Sequence, residues 1–196
     1  MAIGTLVALG AAPFLTGLLG WWLDRSRPGR RWFAATALSV AGLGLLVSTG
    51  GDGAGPSVAV GALFALGASL GYAIYTALGK RVVDAVGPDA YIAAIFGLAA
   101  VMAVPVVAFG ALAGAAGWAT SGDGALMLLW LGVAPTALAY VLFSRGLDHL
   151  PAATVSSLTL AEPIVATVLG IVVLGERVSL PGHVGLALVA AGLLLL

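Results

Sequence analysis

The chain has 196 residues, of which 61% are hydrophobic and 8% charged, with zero formal net charge and a mean hydropathy of +1.15. A soluble domain carries roughly 25% charged residues, so this composition excludes an ordinary water-facing surface. The charge balance gives no basic field for nucleic acid, and the absence of cysteine excludes disulfides, thiolate metal sites and cysteine catalysis.

A lipid bilayer removes the need for surface charge but requires every backbone polar group to be satisfied internally. That leaves helices or a closed barrel. The apolar runs last about 15 to 25 residues, rather than the roughly 10 alternating residues of a barrel strand, so helices are expected.

In chain order, the first predicted span covers residues 2–23, followed by Arg25 to Arg31 with Pro28. The first run has no basic segment before it, exceeds a typical signal-peptide core and ends in arginines, so it reads as a retained span. The second span, 32–48, precedes a turn-rich stretch from Thr49 to Pro56. The third, 57–79, leads to Lys80 to Asp89, and the fourth, 90–114, to Ala115 to Gly124. The fifth, 125–143, is followed by Ser144 to Leu150, and the sixth, 151–174, by Gly175 to Pro181. The seventh covers 182–196. The fold class is therefore all-α, a polytopic transmembrane bundle of about seven helices.

With alternating helices, Arg25, Arg27, Arg30, Arg31, Lys80, Arg81 and Arg145 fall on one side and only Arg177 on the other. The positive-inside rule makes that side cytoplasmic, with Met1 outside and Leu196 inside. Trp21, Trp22 and Trp32 flank the arginine loop, where an aromatic belt belongs.

Residues 11–46 align without a gap on residues 161–196. Pro13 matches Pro163, Leu19 and Gly20 match Leu169 and Gly170, and Leu38 matches Leu188. Ala41, Gly42 and Leu43 match Ala191, Gly192 and Leu193. An odd number of spans separates corresponding helices, so the second copy is inverted. Inverted repeats of this kind are the framework of alternating access around a central site.

Further residues carry a family resemblance. Ala161-Glu162-Pro163, Gly170, Leu174-Gly175-Glu176-Arg177, Gly185 and Gly192 resemble the signature of the EamA family in the drug/metabolite transporter superfamily. Thr136 to Tyr140, Ser144 to Leu147, and Gly71 to Tyr75 ahead of Lys80-Arg81 resemble earlier helices of the same repeat. The family has ten helices in two five-helix repeats. The resemblance implies that residues 1–50 are the last two helices of a first repeat and residues 51–196 a complete second one, a partial inverted-repeat fold lacking three leading helices. Ala12 and Arg25-Ser26 stand where the second copy has Glu162 and Gly175-Glu176. The resemblance implies export or uptake of small metabolites or drugs across the cell membrane, and no cofactor.

Glu162 is the acidic residue placed inside a span, where a charge costs roughly 2.5–3.5 kcal/mol on insertion scales. It reads either as a proton or substrate-amine site, or as a carboxyl bonded to a Ser or Thr of a neighbouring helix. Ser156, Thr159, Pro163, Thr167 and Gly170 fall within about 80° on the same helix, a stripe that suits close packing or a cavity wall. Ser69, Tyr72 and Thr76 share a face of the third span with Tyr75 beside it, and Thr136 and Tyr140 share one on the fifth. These polar side chains line a cavity or bond between helices. Gly67 and Gly71 form a GxxxG pair read as internal packing. Glu176 and Arg177 read as an interface anchor or salt bridge. His149 and His183 lack ligand-like spacing, so no metal site is expected.

The leading function is secondary transport of a small molecule through the bilayer, with proton coupling through Glu162 as one form of it. An intramembrane enzyme would need a paired catalytic set; the chain has no GxSxG elbow, and Asp52 and Asp123 lie in glycine loops. A scaffold or truncated inactive protein is the other alternative.

The orientation has a direct test. With single cysteines at Ser26 and Ser121, an impermeant thiol reagent on intact cells should label position 121 and spare position 26. The reverse pattern would overturn the assigned sidedness.

Overall fold

The computed structural model describes residues 2–25, 27–48, 56–114, 116–175 and 177–196. Within them the chain forms seven helices and no strand: α1 (Ala2–Asp24), α2 (Arg30–Ser48), α3 (Pro56–Val86), α4 (Pro88–Leu112), α5 (Gly122–His149), α6 (Ala152–Leu174) and α7 (Leu180–Leu195). Helices α3, α4, α5 and α6 are each long and apolar enough to cross a bilayer. The apolar parts of α1 and α7, Val7–Leu23 and Leu180–Leu195, are shorter. Large apolar side chains face outward along α4 and α5, such as Phe109 at 74% and Leu112 at 89% exposure. Such a surface is at home in hydrocarbon and costly in water.

Residues Met1–Leu78 and Pro151–Leu196 form one compact unit, and Gly79–Leu150 a second. The first unit is organised by α2 and α7, which pack antiparallel with their backbones in contact. A Cβ on Gly42 would lie 2.5 Å from the Gly185 carbonyl oxygen and 2.7 Å from the Val189 nitrogen. A Cβ on Gly192 would lie 2.6 Å from the Ala35 carbonyl oxygen and 2.9 Å from the Ser39 nitrogen. These contacts are exchanged when each residue is replaced by the one 150 positions away: Gly42 against Gly185 and Val189 becomes Gly192 against Ala35 and Ser39. At the centre Ser39, whose counterpart is Val189, donates its hydroxyl to the Val189 carbonyl at 3.5 Å. Leu43, Val189 and Leu160 of α6 close the core here, with Leu9, Val40, Ile164 and Leu193 around them.

The loops after α1 and α6 also correspond. Arg25 has φ 53° and Gly175 has φ 68°, so each helix is followed by a left-handed residue. Glycine suits that cap, whereas a side-chain-bearing residue there is disfavoured by roughly 1–2 kcal/mol. The next helix starts alike in both copies, with Phe33 N–H donating to Gly29 at 3.2 Å and His183 N–H to Ser179 at 3.1 Å. The copies differ where Trp32 faces Gly17. The Trp32 ring would lie 2.7 Å from a Cβ on Gly17, and its indole N–H donates to the Ala153 carbonyl at 3.1 Å. Trp32 is therefore buried between helices rather than standing in an interfacial belt, while Trp21 and Trp22 are exposed.

In the second unit α3 continues past the expected loop at Lys80. Lys80 pairs with Asp84 one turn on at 2.6 Å, and Val83 is buried, so the helix is supported to Val86. The link to α4 is the single residue Gly87, at φ 87°, ahead of Pro88 in the first turn. Helix α5 likewise extends to His149, because Leu147 is buried and Lys80 donates to the Asp148 carbonyl at 3.1 Å. Gly79 has no room for a Cβ beside the Tyr91 hydroxyl. Arg145 reaches Asp89 at 3.4 Å. The basic residues expected to set topology thus also hold helix ends together.

Gly67 and Gly71 correct an expectation. Nothing lies within 4 Å of a Cβ on either, so they are not an internal packing pair. The inward face of α3 carries Ser69 and Ala73 instead.

Alanine substitutions separate these glycines. Gly42→Ala and Gly192→Ala should each lower stability by about 1–3 kcal/mol in detergent unfolding, because the new methyl meets backbone. Gly67→Ala should leave stability unchanged or raise it by up to about 1 kcal/mol, since open space receives the methyl and alanine favours helix. Equal behaviour of the three variants would contradict the close approach.

Candidate functional site

The predicted polar residues are distributed over both units. Ser69, Tyr72, Tyr75, Thr76, Ser156, Thr159, Glu162, Pro163 and Thr167 belong to the first, and Thr136 and Tyr140 to the second.

Helix α6 is interrupted at Thr159 and Leu160, between the helical segments Ala152–Leu158 and Ala161–Leu174. Pro163 supplies the reason. It has no N–H to return to the Thr159 carbonyl, and its ring crowds the preceding turn. The tightened turn repairs the deficit: Leu160 N–H donates to Ser157 at 3.1 Å, and Glu162 N–H to the Thr159 carbonyl at 3.0 Å. Thr159 donates its hydroxyl to Ser156 at 2.8 Å, and Thr167 to the Pro163 carbonyl at 2.7 Å. Helix α1 also contains Pro13 yet runs unbroken through it.

The stripe on α6 turns inward. Ser156, Pro163 and Gly170 are buried, and Thr159 and Thr167 half-buried. The Thr16 hydroxyl of α1 lies 3.2 Å from the Ser156 hydroxyl and 2.8 Å from its own Ala12 carbonyl, to one of which its single proton goes. The hydroxyls of Thr36 on α2 and Ser157 lie 2.9 Å apart, and Ser157 also donates to Ala153 at 3.0 Å. These bonds join three helices in the manner of polar residues between membrane helices. Thr16, Thr36, Ser39 and Ser157 were not singled out from sequence. Their signal was available as hydroxyl residues within apolar spans, but their partners lie up to 150 positions away.

Ser69 is buried, and its one O–H has the Ala8 carbonyl at 2.7 Å as its nearest acceptor, with Ala65 at 3.0 Å and Val7 at 3.2 Å in reach, which joins α3 to α1. Thr76 is buried and donates to the Tyr72 carbonyl at 2.9 Å. Tyr72 and Tyr75 are half-buried with ring centroids 6.3 Å apart. In the second unit the Thr136 hydroxyl donates to the Leu131 carbonyl at 2.8 Å. That carbonyl loses its usual donor because Pro135 stands four residues on, and the helix opens into a π-turn over Val133–Leu138. Tyr140 is exposed, with its ring edge-on to Phe96 at 5.2 Å.

Glu162 differs from all of these. Its side chain is exposed, in the first turn of the Ala161–Leu174 segment, and its carboxylate has no hydrogen bond or ion pair among the described residues. A bond to a Ser or Thr of a neighbouring helix, the packing alternative, is therefore not formed. Glu176 lies outside the described residues, and Arg177 is exposed. His149 and His183 sit at 2.9 Å and 3.0 Å from carbonyls of their own helix starts and turns, Arg145 and Ser179. No cluster suited to a metal ion occurs among the described residues.

Apolar helices with proline-broken interiors, joined by hydroxyls and glycines, define a multi-pass α-helical membrane protein. The chain belongs to the EamA-like transporter family, which it matches over residues 59–196. It is 35% identical over its whole length to the uncharacterized transporter YwfM of Bacillus subtilis, covering 64% of that protein. It is 38% identical over 75% of its length to the threonine/homoserine exporter RhtA of Salmonella typhimurium, covering 48% of that protein. A solved crystal structure superposes on 99% of the chain with a TM-score of 0.79 at 22% identity, the chain covering 66% of it, which establishes the fold. The chain thus spans less than two thirds of the length of these relatives.

The interhelical bonds can be weighed. A double-mutant cycle on Thr36→Val and Ser157→Ala, followed by unfolding in detergent, should give a coupling of about 0.5–1.5 kcal/mol. A coupling indistinguishable from zero would show that the two hydroxyls act independently.

Proposed function

We propose that the chain is the larger part of a secondary transporter that exports small polar metabolites by alternating access across the cell membrane. The observation that carries this reading is the proline-tightened turn of α6 at Thr159 and Leu160, beside which the Glu162 carboxylate is exposed and without a partner among the described residues. Discontinuous helices are where membrane transporters bind substrates and coupling ions. The exchanged contacts of α2 and α7 support an inverted arrangement of residues 1–50 against the end of the 51–196 repeat, about which two halves could rock. The relation to RhtA, named for threonine and homoserine export, points to small amino acids and similar amines as the first substrates to try.

In this reading Glu162 takes a proton or a substrate ammonium group. The hydroxyls of Ser156, Thr159 and Thr167, already bonded within the helices, shape the wall behind it. Tyr72, Tyr75 and Tyr140 offer aromatic and hydroxyl surface in their own units.

Efflux of labelled threonine and homoserine from loaded cells expressing the full-length protein tests the transport reading. Expression should raise efflux, and an inactive, scaffold-like protein would leave it at background. Glu162→Gln retains shape and removes ionisation. It should insert normally yet lose most efflux or its pH dependence. Normal, pH-dependent efflux by this variant would remove Glu162 from the mechanism.

A further inference from the structure

The α1–α2 loop concentrates positive charge that its own folding does not require. Arg25, Arg27 and Arg30 are exposed and make no ion pair among the described side chains, which do not include that of Asp24. Arg31 is engaged differently, donating from Nε to the Leu195 carbonyl at 2.6 Å. The Arg27 guanidinium stands 5.0 Å over the Trp21 ring, and Trp22 beside it is 78% exposed. Around Gly29 nothing comes within 4 Å of where a side chain would begin, so the loop is open.

The loop between α6 and α7 serves as an internal control. It shares the left-handed first residue and the same helix start, yet carries Gly175 and Leu180 where the first loop has Arg25 and Arg30. The arginines are thus not what shapes the turn. Two of them oppose local preference. Arg25 occupies left-handed backbone where glycine is favoured, and Arg30 places a cation at the positive end of α2. An anion bound at the start of α2 would remove the second conflict. At the membrane surface that anion is abundant as the lipid phosphate, and exposed tryptophan belongs at headgroup level.

We propose that Arg25, Arg27 and Arg30, with Trp21 and Trp22, form a docking surface for the headgroup phosphate of an anionic phospholipid of the phosphatidylglycerol type. In this arrangement Arg27 lies over the Trp21 ring, Arg25 and Arg30 flank it in the chain as exposed cations, and the exposed Trp22 is the side chain that would meet the acyl-chain necks. The proposal stands apart from the transported substrate and from Glu162.

The test is lipid retention by the purified full-length protein. Equimolar phosphatidylglycerol and phosphatidylcholine are offered in mild detergent, and bound lipid is counted by native mass spectrometry. The wild type should prefer phosphatidylglycerol by about tenfold or more. That preference should fall as salt approaches about 0.5 M, which screens exposed charge. Arg25→Gly with Arg30→Leu, which copies the second loop, should lose most of the preference, and Arg25→Lys with Arg30→Lys should keep it. Equal retention of the two lipids by the wild type, or undiminished preference in the Gly/Leu variant, would overturn the proposal. Should that variant fail to fold, the salt titration of the wild type decides, and salt-insensitive retention counts against it. Displacement of the lipid by inorganic phosphate at about 10 mM would mark a free-anion site instead and reject the lipid assignment.

Discussion

The first unit depends on the direct approach of the α2 and α7 backbones. In a bilayer the lipid tails are as apolar as the side chains, so burying leucine gives helices little reason to associate. Close backbone contact supplies dispersion and polar interactions that lipid cannot match. Gly42, Gly185 and Gly192 permit that approach, and Ser39 adds a bond to the Val189 carbonyl at its centre. Leu160, in the tightened turn of α6, belongs to the same core.

A second economy governs the polar groups. Several serine and threonine hydroxyls in the spans are committed to a carbonyl or another hydroxyl: Thr16 and Ser156, Thr36 and Ser157, Ser69 to α1, Thr136 to the carbonyl released by Pro135. In hydrocarbon an unsatisfied polar group costs several kcal/mol, on the order of 2–7, so such commitment is expected. The Glu162 carboxylate contrasts with these hydroxyls: it is exposed and has no hydrogen bond or ion pair among the described residues. Exceptions to polar satisfaction inside membranes mark functional positions more often than packing ones.

Much of this architecture was legible in the residues. Hydropathy located the seven helices, and the Pro13–Pro163 register revealed the copies whose helix pairs pack through matching positions. Helix ends were less legible, because they are set by contacts between distant residues. Lys80 stops no helix, since Asp84 and the Asp148 carbonyl neutralise it there. Gly67 and Gly71 carry a packing motif yet face open space, because a motif states what a face permits and not what covers it. Trp32 shows the same limit: its place beside the arginines suggests an interfacial ring, but Gly17 on α1 opens room for it inside. Thr136 could have been read further, as a hydroxyl directly after a helix-breaking proline is well placed to cap the released carbonyl. The wheel placed Ser156 and Pro163 on one face, and that face proved to be the packed one, with Glu162 outside it.

The symmetry of the α2–α7 contact carries a consequence for assembly. An interface in which Gly42 meets Gly185 and Gly192 meets the residue equivalent to Gly185 is isologous in form, although it lies within one polypeptide. Isologous surfaces are self-complementary, so a hairpin inserted from a neighbouring chain presents the same glycines to the same partners as the chain's own. Covalent connection, through the local concentration it enforces, is then what favours the intramolecular pairing.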